Sequence, residues 1–260
     1  KLLEHTHNFL PGSLEELKYA EIFVFGDVPY RLKDYAELVK TPGFSILFDS
    51  KHEQNISGRV ADTGSDGRLV HGPDGSITRT NMIEKLLILL LAKVTNFVPG
   101  GGIWMNTQRP EWNDANNALA GWGLSMVTLT YLTRYLKILE ELINPNEKIA
   151  VYIEVAAWTR NCAEALEKQG LSAVSNPEIR LQIMHDLGTG GAAYRQNVYS
   201  DSFCGTRELI SAEELLKFIH LCSENFAKTI ETAIREDGSY ESYQVLRITE
   251  NSAHIKHLYP

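Results

Sequence analysis

Apolar side chains recur every three or four residues along much of the chain, which is the pattern of helices with one buried face. The helices that this spacing predicts cover residues 82–97, 119–143, 147–168, 178–187 and 211–235. The first of them contains the most apolar run, residues 86–92. That run is far too short to span a bilayer, so we expect a helix buried in a protein core.

Capping and breaking residues mark where some of these helices begin and end. Ser13 and Ser211 are each followed three residues later by a glutamate, which is typical of a capping box at a helix N-terminus. Pro177 suits the first turn of the helix at 178–187, and the glycines at 188–191 predict a break after it. Weaker patterns predict a helix over residues 30–40, a glycine-rich loop over 62–75, and short strands at 21–25 and 240–248.

The order of these elements favours a mostly α protein with six or seven helices. No regular alternation of strands and helices indicates a doubly wound parallel sheet. With 260 residues, of which 43% are hydrophobic and 22% charged, the chain is long enough to bury a large core.

Charge and cysteine content narrow the function classes. The 33 acidic and 25 basic residues give a net charge of −8 without a basic stripe, which argues against a nucleic acid partner. No segment indicates a membrane span. Cys162, Cys204 and Cys222 are widely spaced and form no metal-binding or disulfide pattern, so we expect reduced core thiols and a cytoplasmic location. No metal site is expected.

The segment at residues 104–122 has an unusual composition. Its nineteen residues include three tryptophans, two carboxylates, one arginine, one glutamine and four asparagines. Aromatic faces cover the apolar side of a sugar ring, while amides and carboxylates bind its hydroxyl groups. Cleavage of a glycosidic bond also needs a carboxylic acid that protonates the leaving oxygen. Asp114, next to Trp112 and before a predicted helix, is the candidate, because partial desolvation raises a carboxyl pKa.

A helix N-terminus explains the same segment without any chemistry. Asn113 or Asp114 would then cap the helix, and Trp112 would pack as its hydrophobic staple. The two interpretations are compatible, because a capping residue can also face a cleft.

The string Pro110-Glu111-Trp112-Asn113-Asp114-Ala115-Asn116-Asn117 is similar to the Gly-Asp-Trp-Asn-Asp-Gly-Met-Asn motif of the cellobiose and chitobiose phosphorylases, glycoside hydrolase family 94. It also resembles related large bacterial proteins of unassigned activity. The shared residues are Trp112, Asn113, Asp114 and Asn117. Glu111 stands where the family has aspartate, and Pro110 where it has glycine.

The resemblance implies a mostly α, (α/α)6-toroid glycosidase-like fold and cleavage of a glycosidic bond with inversion. Asp114 would be the general acid and Trp112 a sugar contact. The substrate would be a disaccharide or oligosaccharide, with inorganic phosphate as co-substrate in a phosphorylase and no other cofactor. Since a complete toroid is longer than this chain, we expect residues 1–260 to be a single helical domain with an incomplete barrel, from a longer catalytic protein. The residues expected to bind substrate in one concave surface are Trp104, Gln108, Arg109, Glu111, Trp112, Asn113 and Asn117.

The nucleophile and the reaction type stay open at this level. A hydrolase needs a base carboxylate about 6.5–9.5 Å from the acid, and Asp201 and Glu208 are weak candidates. A phosphorylase instead needs an anion pocket, for which residues 188–191 with Arg195, or Arg68 with His71, are weaker still. The alternatives to an enzyme are a catalytically inactive carbohydrate-binding or scaffold domain, and a helical interaction domain whose tryptophans are core residues.

Overall fold

Helices and short strands follow one another in a computed structural model that describes residues 2–106, 119 and 121–258, apart from the side chains of Pro11 and Asp201. The described α-helices are α1 (Leu2–Phe9), α2 (Pro11–Leu17), α3 (Tyr35–Lys40), α4 (Ser50–Thr63), α5 (Met82–Val94), α6 (Met126–Leu142), α7 (Ile153–Gln169), α8 (Pro177–Asp201) and α9 (Ala212–Glu231). Short 3₁₀ turns cover Pro42–Phe44, Gly64–Arg68 and Ser172–Val174.

The described strands are short and pair in antiparallel fashion. They are β1 (Phe23–Val24), β2 (Tyr30–Leu32), β3 (Ile46–Phe48), β4 (Arg79–Thr80), β5 (Phe97–Val98), β6 (Gly102–Trp104), β7 (Gly123–Ser125), β8 (Lys148–Tyr152), β9 (Arg207–Ser211), β10 (Tyr243–Ile248) and β11 (Ala253–His257). One sheet has five strands in the order β11-β10-β7-β6-β5, and the other pairs are β1-β4, β2-β3 and β8-β9.

The main hydrophobic core lies between α5, α6, α7 and α9. Leu90 and Leu91 of α5, Leu129 of α6, Val155 of α7 and Phe226 of α9 are all fully buried in it. Apolar burial contributes about 25 cal/mol per Å², so these helices are stabilised mainly by the faces they turn towards one another.

Helix α5 confirms the prediction of a buried helix in the most apolar part of the chain, although it ends at Val94 rather than at Phe97, which belongs to β5. It begins where the side chain of Asn81 accepts a hydrogen bond from the backbone N–H of Glu84 at 2.9 Å. Leu87 and Val94 are buried on its core face, whereas Leu89 on the opposite face is 53% exposed. In the ranges that the structure describes, no helix combines the length and the apolar character that crossing a bilayer requires.

The predicted mostly α, (α/α)6-toroid fold is wrong, because the described chain is a mixed α/β fold with a five-stranded antiparallel sheet. Two of the predicted helices, 119–143 and 147–168, in fact include β7 and β8 before α6 and α7 begin. Strand β8 pairs along its whole length with β9, from Lys148 opposite Ser211 to Tyr152 opposite Arg207. Its partner lies far away in the sequence, and a short apolar run alone does not distinguish a strand from a helix.

The predicted helix starts have different outcomes. At Ser211 the cap is confirmed, because its hydroxyl accepts a hydrogen bond from the N–H of Glu214 at 3.1 Å. The Glu214 carboxylate pairs with Arg160 instead of closing a capping box. The cap predicted at Ser13 is wrong, since α2 already begins at Pro11 without a side-chain cap. Residues 30–40 are also not one helix, because β2 precedes α3.

The glycines at 188–191 do not break a helix, contrary to the prediction, because α8 runs through them from Pro177 to Asp201. They allow close packing instead. A Cβ atom at Gly188 would lie 2.0 Å from Cδ2 of Tyr35, and one at Gly191 would lie 2.3 Å from Cγ2 of Thr95. Because real Cβ atoms do not approach other atoms so closely, these two glycines let α8 contact its neighbours directly.

The expectation of core thiols is confirmed for two of the three cysteines. Cys162 and Cys222 are fully buried in the main core, and burial raises the pKa of both thiols. Cys204 is exposed, so the prediction is wrong for that residue.

Candidate functional site

Most of the predicted sugar-binding segment lies outside the described residues, which omit 107–118 and 120. The residues concerned are Gln108, Arg109, Glu111, Trp112, Asn113, Asp114 and Asn117, and their roles stay predictions. The two ends of the segment are described. Residues 104–106 and 121–122 therefore show where in the fold the segment begins and ends.

The ends of the segment are held side by side by the pairing of β6 with β7. Trp104 lies opposite Leu124 in this pair. Beyond the strands, the N–H of Met105 donates a hydrogen bond to the carbonyl of Gly123 at 2.8 Å. The carbonyl of Met105 accepts a hydrogen bond from the N–H of Gly121 at 2.7 Å. The two described ends of the segment therefore lie side by side, next to β6 and β7 of the five-stranded sheet.

Trp104, at the start of the segment, is a core residue. Its side chain is 3% exposed and packs in a second hydrophobic cluster with Leu124 and Leu246. Its indole N–H donates to the carbonyl of Gly121 at 3.0 Å. Trp104 therefore packs in the core of the described part of the chain and does not present a free aromatic face there.

The backbone geometry at position 121 requires a glycine. Its φ of +90° lies in the left-handed region, and a Cβ atom there would lie 2.9 Å from the backbone nitrogen of Gly43. The 3₁₀ turn Pro42–Phe44 therefore packs directly against Gly121.

Trp122, the next residue, exposes 45% of its surface although its backbone is fixed. Its carbonyl accepts a hydrogen bond from the N–H of Leu246 at 2.7 Å, and its own N–H donates to Leu119 at 2.9 Å. A large exposed indole on a rigid backbone is available for contact with a flat apolar ligand surface.

Trp122 borders an open cleft of about 770 Å³. Residues from α3, from α8 and from the turn between β10 and β11 form the rest of its wall. The described lining residues are Tyr35, Ala36, Val39, Lys40, Trp122, Glu178, Leu181, Gln182, His185, Ile248, Thr249, Glu250 and Asn251. The volume is in the range of small-molecule sites, about 300–1,000 Å³.

Glu178 and Glu250 provide two carboxylates in this cleft. Glu178 lies in the first turn of α8, where Asn176 accepts hydrogen bonds from the N–H groups of Glu178 and Ile179. Glu250 lies in the turn between β10 and β11. Both are exposed, and neither carboxylate bonds to another described residue. A carboxylate without a partner can accept hydrogen bonds from a ligand.

Tyr35 and His185 form the part of the cleft wall next to α8. The Tyr35 ring is 6% exposed, and its centroid lies 5.5 Å from that of His185 in an edge-on arrangement. Burial raises the pKa of the Tyr35 hydroxyl, which has no hydrogen-bond partner among the described residues. His185 is exposed beside it and lines the cleft.

The residues predicted to supply a base or to bind phosphate do not join this cleft. Glu208 lies on β9, where its carboxylate is 2.6 Å from Nη1 of Arg160. The side chain of Asp201 lies outside the described residues. Residues 188–191 are helical, so they provide no anion-binding turn with Arg195. Arg68 and His71 belong to the loop after α4 and do not line the cleft.

The sequence analysis missed nearly the whole cleft. Trp122 belonged to the segment of unusual composition but was not among the predicted contacts. The Asn176-Pro177 pair did indicate that Glu178 belongs to a first helical turn. Nothing local in the sequence indicated that α3, α8 and the β10–β11 turn line one cleft with Trp122.

No model of a known protein family matches the chain, and no curated protein matches it either. The described residues also contain no group of three or more histidine, cysteine, aspartate or glutamate side chains placed to hold a metal ion.

Proposed function

We propose that this protein is a carbohydrate-active enzyme that cleaves a glycosidic bond with inversion, using Asp114 as the general acid. The observation that carries this proposal is the exposed indole of Trp122, eight residues after Asp114 in the sequence, in an open cleft. The proposal does not depend on a toroid, because a site's chemistry is separable from its fold.

The composition of the cleft supports a sugar as the ligand. Trp122 offers a flat face for the C–H groups of a pyranose ring, and Leu181 and Ile248 add apolar surface. Gln182 and Asn251 carry amides that both donate to and accept from hydroxyl groups. This mixture suits disaccharides and oligosaccharides.

In the proposed reaction, Asp114 donates its proton to the glycosidic oxygen as the bond to the anomeric carbon breaks. Trp112 contacts the sugar and lowers the polarity around the acid, which favours the protonated form before the reaction. We assign further substrate contacts to Gln108, Arg109, Glu111, Asn113 and Asn117. We also propose a cytoplasmic location, because the buried thiols of Cys162 and Cys222 are not joined in a disulfide.

The proposal is tested by comparing wild type with Asp114→Asn in the full-length protein. Both would be incubated with β-linked disaccharides, with and without phosphate, and sugar binding would be measured by calorimetry. General acid catalysis typically supplies about 10²–10⁴-fold, so we expect a loss of that size in kcat with nearly unchanged affinity.

Two results would contradict this assignment. Full activity of Asp114→Asn would show that another group donates the proton. Sugar binding by the wild type without cleavage of any substrate would instead identify a carbohydrate-binding domain without catalysis.

A further inference from the structure

A second cleft, of about 440 Å³, lies between α7 and α8. It is separate from the cleft beside Trp122, although His185 lines both. Its volume suits a small molecule, since such sites typically occupy about 300–1,000 Å³. The lining residues that bear on its ligand are Asn161, Glu164, Lys168, Asp186 and Gly190.

Gly190 lines this cleft from the interior of α8, where a glycine is unfavourable because it loses more conformational entropy than alanine. The neighbouring Gly188 and Gly191 let α8 pack directly against other elements. A Cβ atom at Gly190 would instead meet Asn161, with its Cβ at 3.5 Å, which is an ordinary contact. Packing against the described residues therefore does not explain this glycine, whereas a ligand lying against the bare helix backbone would.

Charged side chains of both signs line the cleft and have few partners. Glu164 and Lys168 lie one turn apart on α7, and neither forms a hydrogen bond or an ion pair with a described residue. Asp186 on α8 accepts a hydrogen bond from the side-chain nitrogen of Gln182 at 2.9 Å through Oδ1, while its Oδ2 bonds to no described residue. Two carboxylates and one ammonium group are therefore available to a ligand.

These charges select the class of ligand. A phosphate or another anion without a positive group would be repelled by Glu164 and Asp186. A neutral sugar would displace water from three charged groups and supply no countercharge, which costs free energy. A zwitterion satisfies both signs, because its ammonium group pairs with the carboxylates and its carboxylate pairs with Lys168.

We propose that the cleft between α7 and α8 is a binding site for a free amino acid, a small ligand that carries one ammonium and one carboxylate group. Glu164 and Asp186 bind the ammonium group, and Lys168 binds the carboxylate. The ligand lies against the backbone at Gly190. Asn161, the described side chain nearest to that backbone, offers an amide that can donate to and accept from a polar ligand side chain.

The first test measures the melting temperature of the full-length protein with each of the standard L-amino acids at millimolar concentration. We expect at least one polar amino acid to raise the melting temperature as its concentration rises, because a ligand of the folded state stabilises that state. Its N-acetyl derivative and its amide, which each lack one of the two charges, should raise it much less. No shift with any amino acid would overturn the proposal, and so would equal shifts with the two derivatives.

The second test uses Gly190→Ala to separate a ligand role from a packing role. Because alanine favours a helix, this variant without ligand should melt about 2–4 °C higher than wild type. Its methyl group would occupy the cleft, so it should bind the amino acid found in the first test about tenfold more weakly. Gly191→Ala is the matched control and should melt lower, because its Cβ would lie 2.3 Å from Cγ2 of Thr95. A lower melting temperature or an unchanged affinity for Gly190→Ala would contradict the proposal.

The third test removes the charges one at a time. Glu164→Gln and Lys168→Gln should each bind the amino acid about tenfold more weakly than wild type in calorimetry. In Lys168→Gln, the amino acid and its amide should bind equally well, because the group that distinguishes them is gone. Glu167→Gln, at an exposed glutamate of α7 outside the cleft lining, is the matched control and should bind like wild type. Wild-type affinity in either cleft variant would overturn the proposal.

Discussion

The side chains of the helical core and those of the cleft beside Trp122 differ in how exposed they are and in whether they have partners within the described protein. In the core, Leu90 and Phe226 have no exposed surface and belong to the main hydrophobic cluster. In the cleft, Trp122 keeps 45% of its surface exposed, and Glu178 and Glu250 bond to no described residue.

The difference shows which side chains are available to contact a ligand. A core side chain already makes all the contacts it can, so its loss costs stability. A cleft side chain makes few contacts within the protein, so its loss should cost binding or catalysis instead. Substitutions that separate these two effects test the comparison.

The largest expected effect on stability comes from Phe226→Ala in the core. Removing a fully buried ring leaves a cavity, which typically lowers the free energy of unfolding by about 3–5 kcal/mol. Chemical denaturation measures this loss. Phe9→Ala, at a ring that is 69% exposed, is the matched control and should change stability little. Equal losses for the two variants would contradict the described core.

The next-largest expected effect on stability comes from the ion pair between Lys18 and Glu147. Lys18 is fully buried, and its Nζ lies 3.0 Å from Oε2 of Glu147. Glu147→Gln leaves this ammonium group with only the more distant carboxylate of Glu15, whose Oε2 lies 3.9 Å away, so we expect a loss of up to about 3 kcal/mol at neutral pH. Glu231→Gln, in the exposed pair with Lys228, should cost less than about 1 kcal/mol. A cost for Glu147→Gln no larger than that control's would rule out a stabilising buried pair.

The ion pair between Lys18 and Glu147 also predicts that the free energy of unfolding depends on pH. Burial raises the pKa of Glu147, but hydrogen bonds from Tyr19, Asn144 and Lys18 outweigh it and lower the pKa to about 2. A carboxyl whose pKa is lower in the folded state stabilises the protein above its unfolded pKa and loses that effect as the pH falls. The stability gap between wild type and Glu147→Gln should therefore narrow from about pH 4.5 towards pH 2.

Replacing Gln244 on β10 should change the free energy of unfolding by a smaller amount, and should raise it rather than lower it. It is fully buried, and neither its side-chain oxygen nor its nitrogen has a hydrogen-bond partner in the described structure. An unsatisfied buried polar group costs about 1–3 kcal/mol, so Gln244→Met should raise the free energy of unfolding by about 1 kcal/mol. Gln54→Met, on the exposed face of α4, should be neutral. A clear loss in Gln244→Met would mean that the amide is satisfied.

Trp122→Ala should have the smallest effect on stability and a clear effect on binding. An aromatic contact beyond simple burial is worth about 0.5–1.5 kcal/mol, so we expect disaccharide affinity to fall by up to about tenfold. Tyr131→Ala, at a ring that is 47% exposed on α6 and outside the cleft, is the matched control. Unchanged affinity in Trp122→Ala would remove this indole from the site.

The sequence predicted the core better than the cleft, for a physical reason. The apolar spacing in α5 and the cap at Ser211 are local signals that fix a helix and its buried face. The pairing of β8 with β9 is a long-range contact, and its short apolar run gave no local sign of a strand. The glycines at 188–191 have helical backbone, so their role depends on Tyr35 and Thr95, which reach them from other elements.

The cleft depends even more on long-range contacts. Its walls come from α3, Trp122, α8 and the β10–β11 turn, which the fold brings together from distant parts of the chain. The composition of residues 104–122 pointed to sugar chemistry, but it gave no information on Glu178 or Glu250.

The most direct test of the central claim compares two classes of substrate in Asp114→Asn. A disaccharide needs its leaving oxygen protonated, whereas an aryl glycoside with a good leaving group needs little help from an acid. We predict that the variant loses most of its kcat on β-linked disaccharides and much less on aryl glucosides. Equal losses on the two classes would contradict the account and indicate that Asp114 has a structural role, as a helix cap.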